Sequence, residues 1–499
     1  MRTDVAARTP DLAALAGAPV LVAGWGISGR ALIEPLRELG ARISVTDARP
    51  GSLAEAAAAG LGTIDDAAFA GPAGRDFALV IVSPGVAPAA PLALAAAAHG
   101  VPVIGDVEFA WLLDRSRRYG SPRQWLVVTG TNGKTTTTAM LASVLAAAGR
   151  NAIACGNIGL PVVEAIRAGR ADVLAVELSS FQLYWAPSVR PAAGVVLNIA
   201  EDHLDWHGGM AGYVAAKARA LTGRVAVVGL DDPIAAALAD SAPAERIVGF
   251  RLGEPAPGEL GVLGGQLTDR AFASAADLGP VSAISPPGPA GVLNALAAAA
   301  LARAIGVPAP AVAVGLATHR VGPHRAAFVR ELGGVEFVDD SKATNPHAAR
   351  SSLLSHRRVI WLAGGLLKGA AVDELVVEVA DRLVAVILLG ADAQRIADAV
   401  TRHAPDVPVV VLRAGDDTSV TAVSGEIGGT GDSAGGVESA DAVMGRAVRT
   451  AAAFARPGDV VLLAPAAASL DMFVSYGHRG DSFAAAARRL TPADVGSGR

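Results

Sequence analysis

The stretch that most constrains the fold is residues 124–138, QWLVVTGTNGKTTTT, where an apolar strand runs into a glycine-containing turn and then a helical pattern. Gly130 and Gly133 let the backbone curl so that its N–H groups point at phosphate oxygens, and the helix N-terminus adds its positive dipole end. Lys134 can reach the outer phosphates, and the Thr135 hydroxyl can ligate magnesium. The stretch therefore predicts an α/β fold with a cradle for a nucleoside triphosphate.

One position departs from the general phosphate-loop pattern. That pattern has a glycine where Val128 stands in this chain. The alternative interpretation is an ordinary strand–turn–helix with a chance Gly-Lys-Thr sequence. Four consecutive hydroxyl residues, Thr135–Thr138, favour the phosphate loop, because threonine is a poor residue for filling a helix start.

The composition is typical of a cytoplasmic enzyme. Hydrophobic residues make up 52% of the 499 residues and the mean hydropathy is +0.42, yet we find no run of about 18 strongly apolar residues that would span a membrane. The N-terminus lacks a signal-peptide pattern, and the single cysteine, Cys155, excludes an intramolecular disulfide. The net charge of −5 indicates no nucleic-acid partner. We expect small-molecule substrates, no membrane insertion and a monomer.

Alternating strand and helix patterns divide the chain into three α/β units, within the two to four domains that its length predicts. We place these units at 1–104, 105–320 and 321–499. The pattern is typical of doubly wound parallel sheets, whose loops gather at the carboxyl ends of the strands. The predicted strands are 19–23, 43–46, 77–82 and 101–104; 125–128, 173–176, 194–197 and 225–228; and 335–338, 359–363, 384–389, 408–412 and 460–463.

Two segments have a different composition. Residues 253–289 are turn-rich with short β-like pieces, and we expect the helix that follows, 295–304, to be the last of the second unit. Residues 415–440 are rich in glycine and serine, and we interpret them as a mobile insertion without a function of its own.

The first unit carries a glycine-rich turn directly after its first strand. The turn is GWGISG (24–29), and Asp47 follows about twenty residues later, which fits the fingerprint of a dinucleotide site. Taken alone, this pattern predicts a nicotinamide-dependent oxidoreductase. The same turn also suits the pyrophosphate of a UDP-sugar, and a dehydrogenase needs no triphosphate cradle in the next unit. A tight turn without a ligand is the third possibility.

Charged residues follow two strands of the second unit, where parallel sheets bind ligands. Glu177 ends one strand, and EDHLDWHGG places His203 just after another. A carboxylate and an imidazole near a phosphate loop can hold magnesium or orient phosphates. His207 is more typical of a surface or polar-core histidine, and Lys217, in YVAAKARAL, of a solvated helix lysine.

Charged groups also concentrate at the start of the third unit. GPHR and DDSKATNP supply four charged or titratable side chains: His324, Arg325, Asp340 and Lys342. Such cations suit a transferring phosphoryl group or the ADP left behind. Lys368 and the segment 464–480, APAAASLDMFVSYGHRG, follow later strands, and backbone and hydroxyl groups there can bind a carboxylate. Each of these residues taken singly is more typical of an ordinary solvated loop.

In this order, the motifs resemble the Mur ligases of bacterial cell-wall synthesis. The similarity is carried from Gly24 to Gly480 by GTNGKTT, GNIG, VELSSFQL, NIAEDHLD, GPHR and DDSKATNP, and the last of these with PAAASLDMF resembles the D-glutamate-adding branch. The resemblance implies a three-domain α/β ligase with an N-terminal Rossmann-like UDP-binding domain, a central P-loop ATPase-like domain and a C-terminal Rossmann-like domain. It also implies an ATP-dependent amide ligase that adds D-glutamate to UDP-N-acetylmuramoyl-L-alanine through an acyl phosphate, in peptidoglycan precursor synthesis.

The same resemblance implies roles for individual residues. ATP would be bound by Gly130, Thr131, Asn132, Gly133, Lys134, Thr135, Thr136, Asn294, Arg325 and Asp340. The UDP substrate would contact Ser28, Asp47, Arg49, Ser83, Gly85, Asn157 and His203. The D-glutamate pocket would consist of Thr344, Lys368, Ser469, Leu470 and Tyr476. The catalytic set would be Lys134, Glu177, His203, Lys217 and Lys342. Two magnesium ions would be held by Thr135, Glu177, His203 and Lys217, the last as a carbamate made with carbon dioxide, whose two oxygens are hard ligands.

The chain departs from the family pattern in a few places. Ala290 and Gly291 stand where relatives often have a His-Asn pair, and Tyr476 stands where they often have phenylalanine. Three other interpretations remain: another amide ligase of the same superfamily, such as folylpolyglutamate synthase; the nicotinamide-dependent enzyme; and a binding module that senses nucleotide without turnover.

Overall fold

The computed structural model describes residues 10–412 and 439–497, which build three sheets of five, nine and six strands. One compact unit, Met1–Ile284 with Gly291–His319, contains the first two sheets, and a second, Ser285–Ala290 with Arg320–Arg499, contains the third. The predicted insertion at 415–440 lies outside the described residues except for its last two positions. Within the described ranges, no helix is long and apolar enough to cross a bilayer.

The first sheet is parallel throughout. It consists of β1 (Pro19–Ala23), β2 (Arg42–Thr46), β3 (Gly62–Thr63), β4 (Leu79–Val82) and β5 (Val103–Gly105), in the order β3-β2-β1-β4-β5. Its helices are α1 (Ile27–Ala31), α2 (Ile33–Glu38), α3 (Pro50–Ala58), α4 (Asp66–Ala70), α5 (Pro91–His99) and α6 (Asp106–Arg115). The strands β1 and β4 are buried on both faces, as parallel strands covered by helices are. The predicted doubly wound parallel sheet is confirmed.

The second sheet is larger and mixed. Its strands are β6 (Gln124–Thr129), β7 (Ala152–Gly156), β8 (Val173–Glu177), β9 (Ala193–Val196), β10 (Val225–Gly229), β11 (Arg246–Phe250), β12 (Glu259–Leu263), β13 (Gln266–Asp269) and β14 (Ala276–Pro280). They lie in the order β14-β13-β12-β11-β10-β9-β6-β8-β7. The strands from β7 to β12 pair in parallel, whereas β13 and β14 extend the sheet in antiparallel pairing. The short β-like pieces predicted at 253–289 are the strands β12 to β14.

The helices of the second sheet correct one prediction. They are α7 (Lys134–Ala147), α8 (Val162–Arg167), α9 (Ser180–Tyr184), α10 (Leu204–His207), α11 (Met210–Ala218), α12 (Pro233–Ala237), α13 (Pro289–Ala304) and α14 (Ala309–Thr318). We expected helix 295–304 to be the last of its unit, but α14 follows it there and packs on α7, so that expectation is wrong. Gly315 permits this packing, because a Cβ at that position would lie 2.3 Å from the Cα atom of Val144.

The third sheet has one antiparallel edge. Its strands are β15 (Ala327–Leu332), β16 (Val335–Asp339), β17 (Val359–Ala363), β18 (Leu383–Leu388), β19 (Val409–Val411) and β20 (Val460–Leu463), in the order β15-β16-β20-β17-β18-β19. Only β15 pairs antiparallel with its neighbour. The helices are α15 (Pro346–Leu354), α16 (Asp373–Val379), α17 (Ala393–His403), α18 (Ala440–Phe454) and α19 (Tyr476–Arg489). Short 3₁₀ turns occur at Leu12–Leu15, Pro72–Asp76, Arg219–Leu221, Leu238–Asp240, Val281–Ala283, Ala380–Arg382 and Pro492–Asp494.

Candidate active site

The phosphate-loop sequence forms the turn between β6 and α7. Gly133 has φ = 83°, and a Cβ there would lie 2.3 Å from Asn294 Oδ1, so this position needs glycine for its backbone and for its space. Lys134 is the first residue of α7, and its Nζ donates to the carbonyl oxygens of Gly130 (2.9 Å) and Thr131 (2.8 Å). The ammonium group therefore lies across the loop, at the helix N-terminus that favours anions.

The loop is braced by the segment that follows β9. Asn198 accepts the Asn132 N–H at its Oδ1 (2.8 Å) and donates from its Nδ2 to the Asn132 carbonyl (3.2 Å). The Ala200 N–H donates to Thr131 Oγ1 (2.9 Å). Asn198 directly follows the predicted strand 194–197, but the sequence gave no sign of this reciprocal pair, which holds the loop backbone in one conformation.

Lys217, on α11, lies under the same loop. Its side chain is buried, with 1% exposure, and Nζ donates to the Gly130 carbonyl at 2.7 Å. Nζ also lies 4.6 Å from the centroid of the Tyr213 ring, whose hydroxyl hydrogen-bonds with Thr131 Oγ1 at 3.0 Å. Burial, with the charge of Lys134, lowers the pKa of Lys217 well below its usual value. The interpretation of Lys217 as a solvated helix lysine is therefore wrong.

Glu177 ends β8 and is also buried, with 1% exposure. Its Oε1 accepts a hydrogen bond from Asn157 Nδ2 (2.7 Å), and its Oε2 is buried without a hydrogen-bond partner within the described part of the chain. A buried carboxylate oxygen left without a donor suits a cation. In residues 10–412 and 439–497, no three His, Cys, Asp or Glu side chains are arranged as a metal centre, so a magnesium site here would need further oxygens.

The two histidines after β9 differ in environment. His203 has φ = 53° and precedes α10, with its side chain about half exposed and its Nε2 3.5 Å from Asp202 Oδ2. His207 is partly buried and shares a hydrogen bond with Ser180 Oγ at 2.9 Å. Burial, together with the charges of Lys217 and His203, lowers the pKa of His207 to about 4. His207 is therefore neutral near pH 7, whereas His203 is accessible to a ligand.

The residues predicted to bind the UDP substrate follow the strands of the first sheet. Asp47 accepts the N–H groups of Trp25 (2.7 Å) and Arg49 (2.9 Å). The Arg49 guanidinium and these N–H groups hold the pKa of the Asp47 carboxyl well below its usual range. The loop after β4, with Ser83 and Gly85, runs beside the second sheet, where the Trp206 indole N–H donates to the Gly85 carbonyl at 3.3 Å.

Asp106, which the sequence did not single out, lies beside one of these residues. It is the first residue of α6, it is buried, and the Ser28 hydroxyl lies near its carboxyl. Burial raises the pKa of Asp106 to about 6. The signal was the sequence Gly-Asp directly after a predicted strand, at the same sheet edge as the GWGISG turn.

In the third sheet, the predicted site residues follow β16, β17 and β20. Lys342 Nζ lies 3.9 Å from the centroid of the Tyr476 ring. Burial raises the pKa of Asp340 to about 6, although the charge of Arg325 opposes that rise. The exposed residues among this set are Lys368, Leu470 and Tyr476, whereas Thr344 is half-buried and Ser469 is buried.

Three family models match the chain along most of its length. They are the N-terminal domain of MurD-like Mur ligases at 18–105, the Mur ligase middle domain at 128–302 and the Mur ligase glutamate ligase domain at 324–467. The fold is similar to MurF from Acinetobacter baumannii, with a TM-score of 0.54, 17% identity, and 96% of this chain and 93% of that chain covered. A pseudomurein peptide ligase type C from Methanothermus fervidus gives a TM-score of 0.51 at 18% identity, covering 90% of this chain and 96% of that chain.

The chain belongs to the Mur ligase family. Within that family, it is similar over nearly its full length to UDP-N-acetylmuramoylalanine–D-glutamate ligases. The protein of that name from Rhodococcus jostii is 63% identical, with 96% of this chain and 97% of the relative covered. The one from Nocardia farcinica is 62% identical, with 97% and 98% covered. The three-domain α/β fold and the D-glutamate-adding branch expected from the motifs are therefore confirmed.

Proposed function

We propose that this chain catalyses the ATP-dependent addition of D-glutamate to UDP-N-acetylmuramoyl-L-alanine, an ADP-forming step of peptidoglycan precursor synthesis. The structural observation that carries the proposal is the buried Lys217, whose Nζ contacts the phosphate loop at Gly130. A buried amine against a phosphate loop serves no evident packing purpose, because burying a lysine disfavours its charged form. The choice of substrates follows the names of the relatives at 62–63% identity.

The reaction has two steps. A carboxylate oxygen of the UDP substrate attacks the γ-phosphorus of ATP, which gives an acyl phosphate and ADP. The amine of D-glutamate then attacks the acyl carbon, the amine loses a proton, and phosphate leaves with that carboxylate oxygen as the amide forms. The protein's contribution is to position the reactants and to stabilise the charge on the transferring phosphoryl group.

Lys134 is the cation closest to the phosphates in this proposal. Its Nζ is held by the carbonyls of Gly130 and Thr131, and we infer that it exchanges these partners for the outer phosphates. The N–H groups of the loop, braced through Asn132 and Asn198, bind phosphate oxygens. Thr136, Asn294, Arg325 and Asp340 complete the proposed ATP-binding set, with Lys342 acting on the phosphoryl group.

Mur ligases use ATP and magnesium, and the residues here fit the metal. The buried Glu177 Oε2 without a hydrogen-bond partner supports a metal ligand at that oxygen, and Thr135 and His203 offer two further donors. When bound, magnesium neutralises phosphate charge during the transfer. Asn157 orients the Glu177 carboxylate through the 2.7 Å hydrogen bond at its other oxygen.

Lys217 supplies the remaining ligand in our proposal, as a carbamate. Burial lowers the pKa of the amine and so favours its neutral, nucleophilic form, in which Nζ can add to carbon dioxide and release one proton. The product is an anion with two oxygens in place of a neutral amine, which suits a second magnesium ion. Lys134, whose charge lowers the pKa of Lys217, would stabilise the carbamate.

The other substrate residues stay as predicted from the family. The residues that we propose to bind the UDP substrate are Ser28, Asp47, Arg49, Ser83, Gly85, Asn157 and His203. Those that we propose to bind D-glutamate are Thr344, Lys368, Ser469, Leu470 and Tyr476. Domain boundaries of 1–104, 105–320 and 321–499 are supported by the family-model ranges 18–105, 128–302 and 324–467. A monomer in the cytoplasm remains our prediction for the state and place of the enzyme.

Phosphate release with a panel of amino acids tests the proposal. With ATP, magnesium and the UDP substrate, we expect D-glutamate to support turnover, whereas L-alanine and diaminopimelate do not. D-glutamate presents two carboxylates, which suit the Lys368 cation and the hydroxyl donors better than a neutral side chain would. Lys134→Ala is the control for ATP dependence and should lose turnover by orders of magnitude. Turnover with L-alanine in place of D-glutamate would assign the chain to another branch of the family.

A further inference from the structure

Arg479 is an arginine of the third sheet that none of the proposed roles uses. It lies in the first turn of α19 and is buried with 1% exposure. Its hydrogen bonds go to a hydroxyl and to backbone carbonyls, not to carboxylates. Burying a guanidinium whose hydrogen-bond partners are all neutral is costly, and burial lowers the pKa of Arg479 to about 10, although the charges of Asp471 and Asp339 oppose that change. We therefore look for the role of Arg479 in the groups to which its guanidinium donates.

The guanidinium joins three loops at the carboxyl edge of the sheet. Nε donates to Ser341 Oγ (3.0 Å) and Nη2 to the Ser341 carbonyl (2.9 Å), in the loop after β16. Nη1 donates to the Ala467 carbonyl (3.1 Å), after β20, and to the Gly364 carbonyl (3.3 Å), after β17. The strands β16, β20 and β17 are neighbours in the sheet. A lysine cannot reproduce this arrangement, because only the planar fork fixes several donors at once.

Each of these loops carries residues that we assign to D-glutamate. Ser341 precedes Thr344 in DSKATN, Gly364 precedes Lys368 in AGGLLKG, and Ala467 precedes Ser469 in AAASL. Tyr476 begins the helix on which Arg479 lies, and its carbonyl accepts a hydrogen bond from Ser341 Oγ at 2.8 Å. The Ser341 hydroxyl thus accepts a hydrogen bond from Arg479 and donates one to the Tyr476 carbonyl, so both of its bonds lead to the same helix.

We propose that Arg479 is the positioning residue of the amino-acid pocket. Its guanidinium fixes the spacing of Thr344, Lys368 and Ser469 and does not itself touch the amino acid. This inference rests on the proposed function, since it concerns the pocket for D-glutamate. A shift of the three loops against one another would weaken the binding of a ligand that contacts all of them, because misplacement by about 1 Å can cost roughly 100-fold.

The test is Arg479→Lys, which keeps the charge and removes the fork, with Arg488→Lys as the matched control. Arg488 lies exposed on the same helix. We expect the Arg479→Lys KM for D-glutamate to rise by roughly tenfold or more, with the KM for ATP changed by less than about threefold. Arg488→Lys should match the wild type in every parameter. An unchanged KM for D-glutamate, or an equal rise for both substrates, would overturn the positioning role.

Ser341→Ala keeps the inference testable if Arg479→Lys does not fold. This variant deletes the hydroxyl between Arg479 and Tyr476 and leaves the guanidinium in place. A selective rise in the KM for D-glutamate supports the proposal, and no rise contradicts it. The wild-type measurement separates the proposed function from the role of Arg479. No wild-type turnover with D-glutamate overturns the proposed function. Normal wild-type turnover, with the KM for D-glutamate unchanged in both variants, overturns only the role of Arg479.

Discussion

At the scale of single residues, buried ionisable side chains mark the candidate site. Lys217, beside the phosphate loop, and Glu177, at the end of β8, are each 1% exposed. Asp106, which directly follows β5, is also buried. Water solvates a charge better than a protein interior does, so each of these groups costs stability unless a partner offsets the burial. Their placement at the carboxyl edges of two sheets indicates that function, rather than packing, keeps them.

Removing the Lys217 amine tests its proposed modification. Lys217→Ala should lower turnover by on the order of 100- to 1,000-fold, since a ligand of the magnesium that neutralises phosphate charge would be lost. Acetate should restore part of the activity, because a short carboxylic acid fits the cavity left by the side chain and supplies two oxygens. Lys217→Gln, which fills that cavity, should be inactive and should not respond to acetate. Initial rates across an acetate series give the answer, and a fully active Lys217→Ala would contradict the carbamate.

Asp106 predicts a pH dependence of stability. Burial raises its pKa from 3.8 to about 6, so between these values the folded carboxyl holds a proton that the unfolded one has lost. The free energy of unfolding therefore falls as the pH rises through this window and stays lowered above it. Asp106→Asn removes the titration, so near pH 7 it should be more stable than the wild type by up to roughly 3 kcal/mol.

Urea unfolding at about pH 4 and pH 7 measures this difference. The gain should be small near pH 4, because that pH lies close to the unfolded carboxyl's pKa of 3.8 and the folded carboxyl is protonated there. Asp76→Asn, at an exposed position shortly before β4, serves as the control. Its free energy of unfolding should match that of the wild type at both pH values. A gain for Asp106→Asn that is equal at both pH values would show that burial of the charge is not its cause.

At the scale of elements, strands with a continuous apolar run were predictable, and three of the four missed strands lie at sheet edges. β1, β17 and β20 match their predicted bounds, because each is a continuous apolar run bounded by turn residues. The missed strands β3, β7 and β15 lie at sheet edges, where one side is open and the apolar run is short or interrupted. β11, RIVGF, is interior but has a glycine and two exposed residues, so it gave no clear run.

Two tryptophans link the second sheet to the loop after β4. The Trp206 indole N–H donates to the Gly85 carbonyl (3.3 Å) and that of Trp185 to the Val86 carbonyl (3.0 Å). The Trp206 ring lies 4.6 Å, between centroids, from the Phe181 ring, which in turn lies 4.7 Å from the His203 ring. The Trp206 and Phe181 side chains thus connect the proposed UDP-binding loop with a proposed magnesium ligand.

Replacing Trp206 separates these two contacts. Trp206→Phe keeps an aromatic ring and loses the N–H, so we expect the KM for the UDP substrate to rise several-fold with kcat retained. Trp206→Ala should also lower kcat, because the Phe181 ring, which lies against His203, loses its contact with the Trp206 ring. Trp111→Phe, on α6 and against Trp125, is the matched control and should change neither parameter. Equal kinetics for Trp206→Phe and the wild type would remove the proposed link.

At the scale of the whole molecule, the order of the motifs carried more information than any one of them. The phosphate loop and DSKATN together predicted the family that the comparisons show, although GWGISG alone pointed to a dehydrogenase. The sequence could not predict contacts between distant segments, such as the Asn132–Asn198 pair or the three loops held by Arg479, because they depend on which strands become neighbours. The burial of Lys217 was missed for the same reason: it depends on contacts with a distant segment, the phosphate loop, which the sequence of its own helix does not indicate.

The central claim is that the substrate carboxylate is activated as an acyl phosphate, and the fate of its oxygens tests that claim most directly. The measurement is mass spectrometry of the phosphate released when the wild-type chain joins D-glutamate to UDP-N-acetylmuramoyl-L-alanine whose terminal carboxylate carries ¹⁸O. Because that oxygen attacks the γ-phosphorus and leaves with it, the account predicts one ¹⁸O atom in each phosphate formed with the amide. Phosphate released without ¹⁸O, in step with amide formation, would contradict it.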